Sequence, residues 1–171
     1  MRISASSIAL VMATVLVSDA SAKTYYKICN KNSGKCLTPK GYSTGTVDIV
    51  QQPYDARDTQ LWDVTASPDG KYLNFKSFAT SSKKCIGLSG GSQEAITPAL
   101  QATCDGKANQ DWNFSGDDYN SLTLLSRGSN FKYCLGVSGA SKSNGAAVEQ
   151  FKCDGKVNQK WAFTKVEVNI A

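Results

Sequence analysis

Short runs of alternating or nearly alternating polarity recur along the chain, as in Tyr25-Tyr26-Lys27-Ile28, Leu73-Asn74-Phe75 and Leu122-Thr123-Leu124-Leu125. A period of two puts apolar side chains on one face and polar ones on the other, the pattern of half-buried β-strands. Clusters rich in Gly, Asn, Asp and Ser separate the runs: Asn32-Ser33-Gly34, Asp69-Gly70, Ser89-Gly90-Gly91, Ser115-Gly116-Asp117 and Asn144-Gly145. Such residues take up turn conformations at low cost. No window sustains an apolar pattern of period 3.6 with caps, so the pattern predicts strands and no long helix. The run 95–102 is interrupted by Pro98 and reads as a loop leading into a strand.

The N-terminus breaks this pattern. Residues 8–17 are apolar except for Thr14, Arg2 precedes them, and Ala20-Ser21-Ala22 follows. A basic start, an apolar stretch of this length and a small-x-small site predict a signal peptide over residues 1–22. Ten apolar residues reach only about halfway across a bilayer core. Cleavage after Ala22 leaves a domain over 23–171, expected to be secreted and extracellular. No later stretch approaches 18 apolar residues, so no membrane span is expected.

The strands are organised by a repeat. Cys36, Cys85 and Cys134 recur every 49 residues, in Lys35-Cys36-Leu37, Lys84-Cys85-Ile86 and Tyr133-Cys134-Leu135. The three tryptophans, Trp62, Trp112 and Trp161, each stand two residues after a glutamine: Gln60, Gln110 and Gln159. Cys104-Asp105-Gly106-Lys107 and Cys153-Asp154-Gly155-Lys156 repeat the same spacing. Three copies, about 23–71, 72–120 and 121–171, fill the chain beyond the signal peptide, with about four strands each and twelve in all. One such unit cannot bury its own apolar face, whereas three around an axis close a barrel and leave no open edge.

Composition narrows the chemistry. Of 171 residues none is histidine, which removes Ser-His-Asp and Cys-His catalysis and every metal site built on imidazole. A hydrophobic share of 41% against 19% charged excludes a disordered chain. The net charge of +5 is spread thinly, and no Lys/Arg run exceeds Lys83-Lys84. That argues against a nucleic-acid surface. No spacing singles out a pair of carboxylates, and no Gly-rich phosphate loop or metal cluster is present. The expectation is therefore a protein that is not an enzyme and takes no cofactor or metal. The six cysteines allow 15 pairings.

Three copies of about 49 residues, each ending in Gln-x-Trp, resemble the ricin B-type lectin family. The resemblance covers the whole of 23–171 and implies an all-β β-trefoil with pseudo-threefold symmetry. Six two-stranded hairpins are then expected, three closing a barrel and three capping it. In that frame Trp62, Trp112 and Trp161 pack near the axis, and Gln60, Gln110 and Gln159 satisfy turn backbone that would otherwise be buried unpaired. The family's bridge within each copy implies Cys85–Cys104 and Cys134–Cys153. Tyr54 replaces the second cysteine of the first copy, leaving Cys29 as the local partner of Cys36. Each longer bridge contributes roughly 3 kcal/mol.

The resemblance also implies a sugar site with three parts: an early carboxylate for vicinal hydroxyls, an aromatic ring for the apolar sugar face, and an asparagine before the Gln-x-Trp glutamine. The carboxylate position reads Thr38, Gly87 and Gly136, and is lost in all three copies. The aromatic position reads Gln52, Ala102 and Phe151, and the asparagine position Thr59, Asn109 and Asn158. A further polar position reads Val50, Leu100 and Glu149. The first copy keeps nothing and the second only Asn109. The third keeps Phe151 and Asn158, with Glu149 as a replacement acceptor, so the expected carbohydrate site is there. Plainer roles stand beside these: Asn109 and Asn158 as turn residues, Phe151 as a core residue, and Asp105 and Asp154 as formers of Asp-Gly turns. Tyr42 is either a sugar platform or an ordinary loop aromatic. Asn113-Phe114-Ser115 is the one N-glycosylation sequon, and its place at the start of a strand argues against access.

Two functions are open at this point. One is a non-catalytic lectin whose partners are glycans or glycoconjugates. The other is a trefoil scaffold that binds a protein partner through its loops, such as a secreted protease inhibitor.

Overall fold

The computed structural model describes residues 21–91 and 94–170. Most of the expected signal peptide lies outside these residues. Twelve strands follow in order: β1 (Ser21–Asn30), β2 (Cys36–Pro39), β3 (Val47–Gln52), β4 (Trp62–Ala66), β5 (Leu73–Ser77), β6 (Lys84–Leu88), β7 (Thr97–Thr103), β8 (Trp112–Ser115), β9 (Thr123–Ser126), β10 (Tyr133–Val137), β11 (Val148–Lys152) and β12 (Trp161–Ile170).

Six of them form a closed barrel. Neighbouring copies are joined by antiparallel pairs: β4 with β5, β8 with β9, and β12 with β1 over ten residue pairs from Ser21↔Ile170 to Asn30↔Trp161. Within each copy a single contact at the tryptophan completes the ring, Tyr26↔Trp62, Leu73↔Trp112 and Leu122↔Trp161. The remaining strands make three hairpins, β2–β3, β6–β7 and β10–β11. These meet over one end of the barrel through Val47↔Gln101, Thr97↔Gln150 and the bridge Val50↔Ala147. The architecture is a β-trefoil with threefold pseudosymmetry.

The axis is filled by equivalent residues. The three tryptophans are fully buried, and each indole Nε1 donates to a carbonyl of the cap hairpin of its own copy: Leu37, Ile86 and Leu135, at 3.3, 3.0 and 2.9 Å. Each ring so buried removes about 150–250 Å² from water, worth roughly 4–6 kcal/mol before entropy is counted. Ile28, Phe75 and Leu124 pack beside them in the same core. The cysteines are joined as Cys29–Cys36, Cys85–Cys104 and Cys134–Cys153, and none is free.

Pro98 does not lie in a loop as expected; it is the second residue of β7. Pairing of β7 with β6 ends at Leu88↔Ala99, so Pro98 lies beyond the last position that calls on a donor for that ladder.

Candidate functional site

Each copy turns into its tryptophan strand through one turn of 3-10 helix, at Asp58–Gln60, Ala108–Gln110 and Val157–Gln159. The closing glutamine is buried and holds the loop before it from both sides. Gln110 Oε1 accepts from the N–H of Asp105 and its Nε2 donates to the Thr103 carbonyl, at 3.0 and 2.8 Å. Gln159 repeats this with Asp154 and Lys152, at 3.0 and 2.9 Å. Gln60 does so with Asp55 and Pro53 and also donates to Thr38 Oγ1. These bonds tie the backbone of an exposed loop to a buried side chain.

The loop that the glutamine holds is also alike in copies two and three. Asp105 Oδ1 accepts from the Lys107 N–H at 3.1 Å, and Asp154 Oδ1 from the Lys156 N–H at 3.0 Å. Each carboxylate also pairs with that lysine's Nζ, at 2.8 and 3.0 Å. The Lys107 ammonium, and at Asp154 chiefly the Lys156 N–H, hold both carboxyls below the ordinary aspartate range. Asn109 Nδ2 donates to the Leu88 carbonyl and Asn158 Nδ2 to the Val137 carbonyl, at 2.9 and 3.0 Å. These asparagines therefore tie the turn to the end of the cap strand.

Against this common frame lie two clefts. The second-copy cleft, about 560 Å³, contains Thr46, Ala102, Asp105, Lys107 and Asn109, with no aromatic ring in its wall. The third-copy cleft, about 450 Å³, contains the half-exposed Phe151 with Lys152, Asp154, Lys156 and Asn158. Of the residues expected at the sugar site, Phe151 and Asn158 come together here. Glu149 does not line the cleft: it faces Gly136 and Pro98 across the neighbouring strands, and its Oε2 is buried without a hydrogen-bond partner. The acidic group in the cleft wall is Asp154 instead. Asn109 lines the other cleft.

Each cleft also borrows from the preceding copy, Thr46 in one and Ala95 with Ile96 in the other. Ile96 is 67% exposed and has φ +61°. A β-branched side chain in the left-handed region costs about 1–3 kcal/mol, and residues so strained cluster at binding sites. Its N–H is held by the Gln150 carbonyl at 2.8 Å. Sequence reading did not pick out Ile96; the one signal for it is its place, like Thr46, just before a cap strand.

The positions that lack the carboxylate are closed in different ways. Thr38 is fully buried and its hydroxyl is taken up by Gln60 and the Cys36 carbonyl. A Cβ at Gly87 would stand 2.7 Å from Gln110 Cγ and 3.0 Å from the Asn109 carbonyl oxygen. At Gly136 it would meet Gln159 Cγ at 3.0 Å and Phe151 Cδ2 at 3.2 Å. Tyr42 is not a free platform, because the Arg57 guanidinium lies 4.0 Å from its ring centroid. Asn113, expected to be hindered, is exposed on β8, since its side chain points away from the barrel that Trp112 fills. Among the described residues no group of three or more His, Cys, Asp or Glu is placed to hold a metal ion, and no helix is long and apolar enough to cross a membrane.

Known proteins agree with this architecture. The family described as Ricin-type beta-trefoil lectin domain matches residues 74–171, and one described as Ricin-type beta-trefoil lectin domain-like matches 14–102. No curated protein matches the chain by sequence. Among solved structures, the designed threefold-symmetric protein ThreeFoil is 28% identical at a TM-score of 0.75, over 83% of this chain and 99% of its own. The exo-β-1,3-galactanase 1,3Gal43A from Clostridium thermocellum is 27% identical at 0.77, over 84% of this chain but only 30% of its own. A ricin B-like lectin from Macrolepiota procera, solved with lactose, is 22% identical at 0.67, over 82% of this chain and 94% of its own, and shows the shared fold. With three buried tryptophans in register and a family match over more than half its length, the chain belongs to the ricin-type β-trefoil lectin domains, a lectin-like family of non-catalytic carbohydrate-binding modules.

Proposed function

We propose that the chain is a secreted carbohydrate-binding protein whose sugar site is the cleft of the third copy. The observation that carries this is the half-exposed Phe151 in a cleft with Asn158 and Asp154. An apolar platform with a few convergent polar groups is what small-ligand sites generally need. Phe151 offers its ring to the C–H face of a pyranose. Asp154 offers acceptor oxygens, and Asn158 has a second amide hydrogen beyond the one given to Val137. Ile96 widens the apolar wall. Secretion is supported by the N-terminal apolar segment and by three disulfides, which persist in oxidising compartments.

A single site of this kind binds with a dissociation constant around millimolar, or roughly −4 kcal/mol. Lectins gain strength from several sites on one particle. With no ring in the second-copy cleft, this chain binds multivalent glycans tightly only when it self-associates. The test is a broad glycan screen on the protein lacking residues 1–22, repeated with Phe151→Ala. A loss of tenfold or more on every glycan that binds is expected. Undiminished binding by the variant places the sugar on another surface.

A further inference from the structure

The cap closes one end of the barrel; the other end carries a pocket. Six of the residues in its wall form a ring related by the threefold pseudosymmetry. Tyr26, Leu73 and Leu122 are the strand partners of the three tryptophans. Val64, Phe114 and Phe163 each lie two residues after a tryptophan, on the same inward face by the two-residue period. Two of these last three positions hold phenylalanine and one holds valine. The ring therefore carries no phenyl group at Val64 where its two counterparts do, and an apolar pocket of about 150 Å³ opens among these residues.

Tyr119, on the loop between β8 and β9, forms part of the wall, and with Tyr26 and Phe163 it continues into an adjoining pocket of about 250 Å³ bordered by Lys165. The wall is held in place. The Tyr119 carbonyl accepts the Phe163 N–H at 2.8 Å, and Leu122 and Trp161 exchange both backbone bonds at 2.8 Å. Phe114 and Tyr119 remain 42% and 65% exposed, so large apolar surface faces water around this opening. Lys165 is the one charged side chain on either pocket's wall, and it forms no ion pair among the described residues.

We infer that this barrel-end pocket is a second binding site, for a small aromatic carboxylic acid. An apolar pocket of about 150 Å³ with aliphatic and aromatic walls has room for a single six-membered ring. The ring of the ligand takes the place of the phenyl group missing at Val64, and its carboxylate reaches the Lys165 ammonium across the adjoining pocket. The site is independent of the sugar cleft, which is built from the cap hairpins and the 3-10 turns.

The probe is 3-phenylpropionate, with 3-phenylpropionamide as its uncharged counterpart, followed by chemical-shift changes in the folded protein. Saturable binding is expected, with shifts centred on Tyr26, Tyr119 and Phe163. Val64→Phe, which installs the residue the other two copies carry, should weaken binding at least tenfold without lowering the melting temperature. Tyr119→Ala, at an exposed loop position, should weaken it independently of any effect that Val64→Phe has on folding. Lys165→Met should bring the acid down to the affinity of the amide. Absence of saturable binding, or binding untouched by both Val64→Phe and Tyr119→Ala, overturns the site. An acid still preferred by Lys165→Met overturns the assignment of the carboxylate. Phe151→Ala should leave this binding unchanged, so the two sites stand or fall separately.

Discussion

The clefts of the second and third copies are built on the same frame and differ in what they offer a ligand. Both have the glutamine brace, the Asp–Lys turn and an asparagine tied to the end of a cap strand. Only the third adds a ring, Phe151 in place of Ala102, and a large apolar neighbour, Ile96 in place of Thr46. The frame thus persists where the aromatic platform is missing. It belongs to the fold, and the two clefts differ in the two positions that changed. The larger cleft is the one without a ring.

The sharpest way to break this reading is to remove the brace. Gln110→Ala and Gln159→Ala each remove two hydrogen bonds to the backbone of an exposed loop. Each should cost about 1–3 kcal/mol in urea unfolding, the net contribution of two hydrogen bonds. The two losses should agree within about 1 kcal/mol, because the bonds are the same. A large loss in one copy and none in the other would show that the frames are not equivalent.

Restoring the missing carboxylate separates the copies next. Gly87→Asp pushes a Cβ against Gln110 and the Asn109 carbonyl and should destabilise by about 1–3 kcal/mol. Gly136→Asp meets contacts a few tenths of an ångström longer, one of them the movable ring of Phe151, and should cost less. Thermal melts of the two variants decide the order, and the reverse order would mean that the second copy has more slack than its geometry implies.

The smallest effect is in the acid range. Asp105 and Asp154 have carboxyls lowered from the ordinary 3.8 by Lys107 and Lys156. Lowered values in the folded state mean that their contribution is complete above the unfolded value. It is lost as pH falls through the lower folded one, below about pH 4. Carboxyl NMR titrations should give midpoints below 3.8 for both. Both groups are open to solvent, so the gain in stability is slight.

The trefoil was legible because its signals are local and repeat: a tryptophan two residues after a glutamine, three times, in step with a cysteine. Parity along β11 also placed Glu149 and Phe151 on one face, yet only Phe151 reaches the cleft. Two residues of strand amount to roughly 6.6 Å, enough to carry Glu149 under the neighbouring hairpin beside Pro98. Ile96 was invisible for a related reason. Its contribution depends on a backbone conformation rare for isoleucine and on a partner about 50 residues away in the next copy. Contacts across copy boundaries leave no trace in a repeat pattern, which describes each unit alone. Asn113 was misjudged because a strand start suggests enclosure, while the outward side of a barrel strand stays open to water.

With residues 1–22 removed, the seam between β1 and β12 keeps eight pairs and brings Lys23 and Val168 together at its outer end. A force that draws these two residues apart therefore loads the seam at its tip and opens it one pair at a time, like a zipper. Strands pulled lengthwise past each other would instead have to give way all at once. For all its covalent bridges, the molecule is mechanically soft along this one direction, and the copies farther from the seam feel the pull last.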